Sequence, residues 1–125
     1  MIQVDLKSRV PLYLQLMQSI KTDIINGNLQ ADEKLPSVRE LSADLIINPN
    51  TIQKAFRALE QEGFLYSLPG KGNYVMKLDA AKLKEQQERI LKEIVNLIKK
   101  AYHLGLTKTD ICNYLEWIEK EESND

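Results

Sequence analysis

Cysteine and histidine are nearly absent, with one of each, Cys112 and His103, in 125 residues. A single cysteine excludes a disulfide framework. The pair also falls short of a zinc site of the usual Cys/His kind. Long apolar runs are missing as well. No stretch approaches the length of a bilayer span, and no signal-like apolar segment opens the chain, so a membrane or secreted protein is not expected. The cytoplasm is the expected location. Charge of one sign is lacking too: 17 Lys+Arg stand against 18 Asp+Glu, a net charge of −1. The chain therefore has no bulk basic field to attract a polyanion, and any nucleic-acid surface must be a local face. Residues 1–78 carry 9 basic and 8 acidic side chains, residues 79–125 carry 8 and 10, so such a face belongs in the first part.

What is present is helical periodicity with clear punctuation. A first helix opens at Pro11, and Tyr13, Leu16, Met17, Ile20 and Ile24 recur at three- and four-residue spacing as one apolar face. Asn26-Gly27-Asn28 ends it. Lys34-Leu35-Pro36 leads to a second, short helix. Ser37 to Glu40 predicts a capping box there, with Val38, Leu41 and Leu45 inward. Asn48-Pro49 starts a third helix, its stripe formed by Ile52, Ala55, Phe56 and Leu59, and Gly63 closes it. Only Ile46 to Asn48 separate the second and third helices, which reads as a helix-turn-helix. Phe64-Leu65-Tyr66-Ser67 and Asn73-Tyr74-Val75-Met76, around the Pro- and Gly-rich turn 68–72, predict a β-hairpin. Three helices and a hairpin in this order describe a winged helix-turn-helix occupying residues 1–78.

The pattern changes at Asp79. Leu83, Gln87, Ile90, Ile94, Leu97, Ala101 and Leu104 form a heptad-like seam, and Leu91, Val95, Ile98 and Tyr102 form a second one beside it. A band that wide must be covered on two sides. Gly105 ends this long helix. Thr107 to Asp110 caps a last helix, on which Ile111, Tyr114, Leu115 and Ile118 are expected to face inward, and residues 121–125 form a polar tail. The mainly α chain thus divides at 78/79 into a winged helix and a two-helix segment.

Chemistry gathers on the third helix. Asn50, Gln53, Lys54 and Arg57 repeat at helical spacing on a face other than the apolar one, with no acid among them. Amides pair with adenine edges, and Arg with guanine or phosphate; a solvated helix face would look similar. Arg39 opposes the dipole at the start of the second helix, which either a phosphate or base edge, or a salt bridge to Glu40 or Asp44, would explain. Ser37 is a helix cap or a phosphate ligand. Lys71, between Gly70 and Gly72, is a plain turn residue or a wing tip directed at a minor groove. His103 suits a helix C-terminus, Cys112 reads as a small part-buried hydrophobe, and Trp117 as an interface anchor or a surface residue. No catalytic constellation or phosphate-binding glycine loop is found, so neither an enzyme nor a cofactor is expected.

Leu35-Pro36-Ser37-Val38-Arg39-Glu40-Leu41, Asn48-Pro49-Asn50-Thr51, Leu59-Glu60-Gln61-Glu62-Gly63 and Gly70-Lys71-Gly72, with Pro11-Leu12-Tyr13-Leu14-Gln15, resemble the GntR family of bacterial transcription regulators. The short second part is similar to the YtrA-type subfamily, whose members are dimers often encoded beside ABC-transporter operons that they repress. The resemblance implies that Arg39 contacts DNA, that the recognition helix spans 49–62 with Asn50, Thr51, Gln53 and Lys54 at the groove, and that Gly72 is the wing glycine. Three departures stand out: Pro49 where many relatives carry Arg, Ile46 at a turn position usually small, and Asn73 after the wing glycine in place of a frequent Thr.

The expectation is a homodimeric repressor on double-stranded DNA, with half-sites about one helical turn apart in an inverted repeat. Its DNA-binding residues are Ser37, Arg39, Asn48, Asn50, Thr51, Gln53, Lys54, Arg57, Lys71 and Gly72. Its dimer contacts are Leu83, Ile90, Ile94, Leu97, Ala101, Ile111, Leu115 and Ile118. The sequence identifies no effector, and 47 residues in two helices leave little room for a pocket of ~300 Å³. The competing reading is a winged helix used for protein–protein contact, which would not need a cationic stripe and wing.

Overall fold

A computed structural model describes residues 2–123; positions 124 and 125 of the expected polar tail lie outside the described residues. The chain divides into two compact units, Met1–Leu78 and Asp79–Asp125.

In the first unit, α1 (Leu12–Ile25), α2 (Val38–Leu45) and α3 (Pro49–Gln61) precede an antiparallel hairpin of β1 (Leu65–Leu68) and β2 (Gly72–Val75). The local signals explain the boundaries. Pro11 caps α1 from outside the helix, one position earlier than its expected place in the first turn. Ser37 Oγ accepts from Glu40 N at 3.0 Å and sets the start of α2. The reciprocal half of the expected box is not formed: among the described residues the Glu40 carboxylate accepts nothing from Ser37. Asn48 Oδ1 accepts from Asn50 N at 2.8 Å, with Pro49 at the head of α3. Both strands begin one residue away from their expected starts.

The amphipathic stripes meet in one core. Leu16, Met17, Ile20 and Ile24 of α1 lie against Ile52, Ala55, Phe56 and Leu59 of α3; Leu35, Leu41, Ile47, Phe64, Leu65 and Val75 complete it. Each large side chain taken from water here contributes about 1.5–3 kcal/mol. The contact of α1 with α3 is the most extensive between helices, and α2 packs on α3. Recognition-type geometry thus rests on α3 being held from behind by α1 and α2, with its other face free.

The stretch before α2 does more than connect. Asp32 N donates to Val75 O at 2.8 Å, Val75 N to Glu33 O at 2.9 Å, and Leu35 N to Asn73 O at 2.9 Å, so residues 32–35 run as a short third arm beside β2. Tyr66 and Tyr74 stack across the hairpin, centroids 5.5 Å apart, and Tyr66 Oη donates to Asp32 Oδ1 at 2.7 Å.

The second unit consists of α4 (Ala80–His103) and α5 (Lys108–Ser123). Asp79 caps α4, accepting from Ala81 N and Lys82 N. Thr107 and Asp110 form a reciprocal box at α5: Asp110 N donates to Thr107 Oγ1 and Thr107 N donates to Asp110 Oδ2. The two helices do not pack side by side. The band expected to be covered on two sides is open in the single chain, and α4 has no buried residue. Correspondingly Tyr114, Leu115 and Ile118 do not face inward but are exposed, and Ile111 is half-buried. Cys112 is exposed rather than part-buried. The helix α5 also continues through Ser123, two residues beyond the expected onset of the tail.

Candidate nucleic-acid interface

The residues singled out by the sequence fall on three elements of the first unit. Asn50, Gln53, Lys54 and Arg57, with Ala58 and Gln61, wall one shallow groove along the outer face of α3. All four of the expected stripe are exposed, while the neighbouring positions 52, 55, 56 and 59 are buried. The 3.6-residue period separates the two faces cleanly. Acids return only at Glu60 and Glu62, and Glu62 is engaged elsewhere, at 2.7 Å from Lys21 Nζ. Thr51 is half-buried at the edge of the same helix.

Arg39 is exposed in the first turn of α2 and is not part of that groove. The salt bridge to Glu40 or Asp44 that would have explained it does not form, since among the described residues Arg39 has no ion pair. Arg57 and Lys71 are equally without carboxylate partners among the described residues. Ser37 and Asn48 direct their side chains at helix amides, so they fix where α2 and α3 begin.

The helix-turn-helix depends on Ile46. Its φ of 55° places a β-branched residue in the left-handed region, where glycine is the low-cost occupant. The tight turn is therefore retained at a steric cost, and the Ile46 side chain stands 84% exposed.

In the wing, Lys71 is exposed at the tip of the hairpin. Gly72, at φ 125°, lies beneath Lys34: a Cβ there would come to 3.0 Å of Lys34 Cε. The aliphatic stem of Lys34 lies over Gly72, at the turn end of the hairpin, and brings a second cation near the wing tip. Sequence reasoning missed Lys34, treating it as connecting segment; its pairing with Tyr74 is long-range and left no local signal. The wing is also stiffened chemically. The hydrogen bond to Asp32, and the negative charge of that carboxylate, hold the Tyr66 phenol above its usual pKa and hence protonated.

Among the described residues no group of three His, Cys, Asp or Glu side chains is placed to hold a metal ion, and no helix is long and apolar enough to cross a membrane. An exposed amide-and-cation stripe on the third helix, a tight preceding turn and a cationic hairpin define a winged helix-turn-helix of the DNA-binding type. Residues 12–75 match the model of bacterial regulatory proteins, gntR family. The chain is 39% identical to the HTH-type transcriptional repressor YtrA of Bacillus subtilis, over all of this chain and 94% of that protein. A GntR family transcriptional regulator from Listeria monocytogenes superposes with a TM-score of 0.64 at 34% identity, covering 94% of this chain and 98% of that one. AraR(DBD) in complex with an operator superposes at 0.52 and 31% identity, over 60% of this chain and 92% of its own. The chain belongs to the gntR family: it is a DNA-binding transcription regulator, not an enzyme.

Proposed function

We propose that the protein is a homodimeric repressor, acting in the cytoplasm on an inverted-repeat operator beside its own gene and silencing an adjacent operon, of the ABC-transporter class where the YtrA-type resemblance extends that far. The observation that carries this reading is α4: 24 residues, two apolar seams and no buried side chain. Ile90, Ile94 and Leu97 are 53, 42 and 63% exposed, and Leu115 and Ile118 on α5 are 55 and 47% exposed. A contiguous apolar surface of this kind marks an association site. An open groove walled by Leu83, Gln87, Ile90 and Leu91 takes a helix of the second copy, and Ala101 and Ile111, half-buried in one chain, are completed by it. Two-fold symmetry then presents two α3 helices to successive major grooves.

Within each half-site, Asn50 and Gln53 read base edges, Thr51 supports them, and Lys54 and Arg57 meet phosphate or guanine. Arg39 approaches from the start of α2, and Lys71 follows the backbone while Gly72, having no side chain, seats Lys34 beside the wing tip. The near-zero net charge makes non-specific binding weak, so recognition depends on two cooperating half-sites. The repressing direction is supported by the full-length similarity to a protein named a repressor. Sedimentation equilibrium at micromolar concentration, with footprinting on the promoter upstream of the gene, tests the proposal. A dimer protecting two symmetric half-sites is expected. A monomer, or protection of a single asymmetric site, overturns it.

A further inference from the structure

Two lysines of the first unit sit over aromatic rings, and their surroundings differ. Lys21 Nζ lies 5.3 Å from the Phe64 centroid and 2.7 Å from Glu62 Oε1, so its charge is neutralised. Lys54 Nζ lies 3.9 Å from the Tyr13 centroid and has no carboxylate partner among the described residues. The first pair pins α1 to the end of α3. The second holds a cation whose charge is still unanswered, on the face of α3 that carries Asn50, Gln53 and Arg57.

We infer that Tyr13 is a positioning residue for DNA binding: its ring fixes the Lys54 ammonium in the place from which that charge meets a backbone phosphate. The inference rests on the reading of the α3 stripe as the DNA face. Tyr13 extends the inward stripe of α1 by one turn beyond Leu16 and Met17. It is only half-buried, at the open margin of the α1–α3 contact. A ring there occupies one side of the ammonium and leaves the outward N–H groups to a second acceptor. The attraction is electrostatic and directed at the ring face. An exposed lysine on DNA must otherwise give up the freedom of four side-chain torsions at the moment of binding; here that freedom is already reduced in the free protein. Nothing on α3 itself supplies this restraint, which is why the stripe alone does not reveal it.

The test is a double-mutant cycle on the full-length protein, read as affinity for a duplex carrying the promoter upstream of its gene. Tyr13→Leu keeps an apolar side chain but removes the ring, and should weaken binding about two- to fivefold. Tyr13→Phe keeps the ring and should bind as the parent does. In the Lys54→Ala background, Tyr13→Leu should cause no further loss. Equal loss from Tyr13→Leu with and without Lys54 would show a role in packing alone and overturn the inference. Tighter binding by Tyr13→Leu would also overturn it, because the ring would then be withholding Lys54 from DNA. If Lys54→Ala has no effect while Gln53→Ala does, the stripe reading survives and the Tyr13 assignment fails. If neither has an effect, the stripe reading fails first.

Discussion

Leu16 and Leu97 occupy equivalent places on the apolar stripes of their helices, yet Leu16 is 0% exposed and Leu97 is 63% exposed. The first unit closes around its own stripes, because α1, α3 and the wing arrive from different directions. The second unit is two helices that do not lie along each other, and its stripes have nothing of the same chain to meet. The same periodic pattern thus makes a core in one case and an exposed apolar face, which we propose as the dimer surface, in the other. Periodicity specifies that a face will be covered; it does not specify by what.

The contrast can be pressed from both sides. Ile52→Ala, at a fully buried position, should cost about 2–5 kcal/mol, seen as a lower urea midpoint that does not vary with protein concentration. Leu97→Ala should instead produce a loss that grows on dilution, as expected when stability depends on association. Concentration-independent melting of the second unit would remove the distinction. Ile94→Asp with Leu97→Asp should abolish dimerisation in sedimentation runs and weaken operator binding about 100-fold, leaving the melting of the first unit in place. A dimer that tolerates both aspartates would exclude this seam.

Smaller effects sharpen the picture of the proposed DNA face. Arg39→Ala or Gln53→Ala should each cost about 1–3 kcal/mol at the cognate site and relax preference there. Lys71→Ala should weaken all sequences alike and lower the salt slope by about one; an unchanged slope would remove Lys71 from the phosphate contacts. Ile46→Gly should stabilise the first unit by about 1 kcal/mol, since relief of a left-handed β-branched residue exceeds the added chain entropy of glycine. A fall in thermal midpoint for that variant would mean that the turn is not strained.

The smallest effects are in pH. The Asp110 carboxyl lies below its ordinary 3.8 because the Thr107 backbone amide and then the Thr107 hydroxyl donate to its charged form. A lowered folded pKa means the cap's stabilisation is complete above 3.8 and disappears as pH falls below it. Asp110→Asn should remove that acid limb, whereas Thr107→Ala, which keeps the backbone donor, should only reduce it. Tyr66 has the opposite sign: raised above 10.0, its contribution is present below that value and lost as alkali ionises the phenol. Tyr66→Phe should remove the alkaline limb without touching the acid one.

Much of the first unit was legible because its signals are local. Ser37, Asn48-Pro49, Gly63 and Gly70 mark boundaries within a few residues of where they act, and the stripe 52, 55, 56, 59 follows from the helical period alone. The exposed amide-and-cation stripe was legible for the same reason, as the complementary stripe of the same helix, and its role as the DNA face is the proposal. What escaped was contact between residues distant in the chain: Lys34 beside Gly72, Asp32 bonded to Tyr66, and Tyr13 beneath Lys54. Tyr114, Leu115 and Ile118 were expected to face inward and are exposed in the single chain, because α5 does not lie along α4.

The order of helices and hairpin, the helix ends and the placing of amides and cations opposite the core were all set by residue type and spacing, since capping, turn chemistry and the helical repeat act over a handful of neighbours. Which lysine is neutralised and which is left charged, which glycine lies under another side chain, and which apolar face stays open were decided only when separate elements packed. Those outcomes depend on distances between segments that share no sequence neighbourhood, and no periodicity along the chain encodes them.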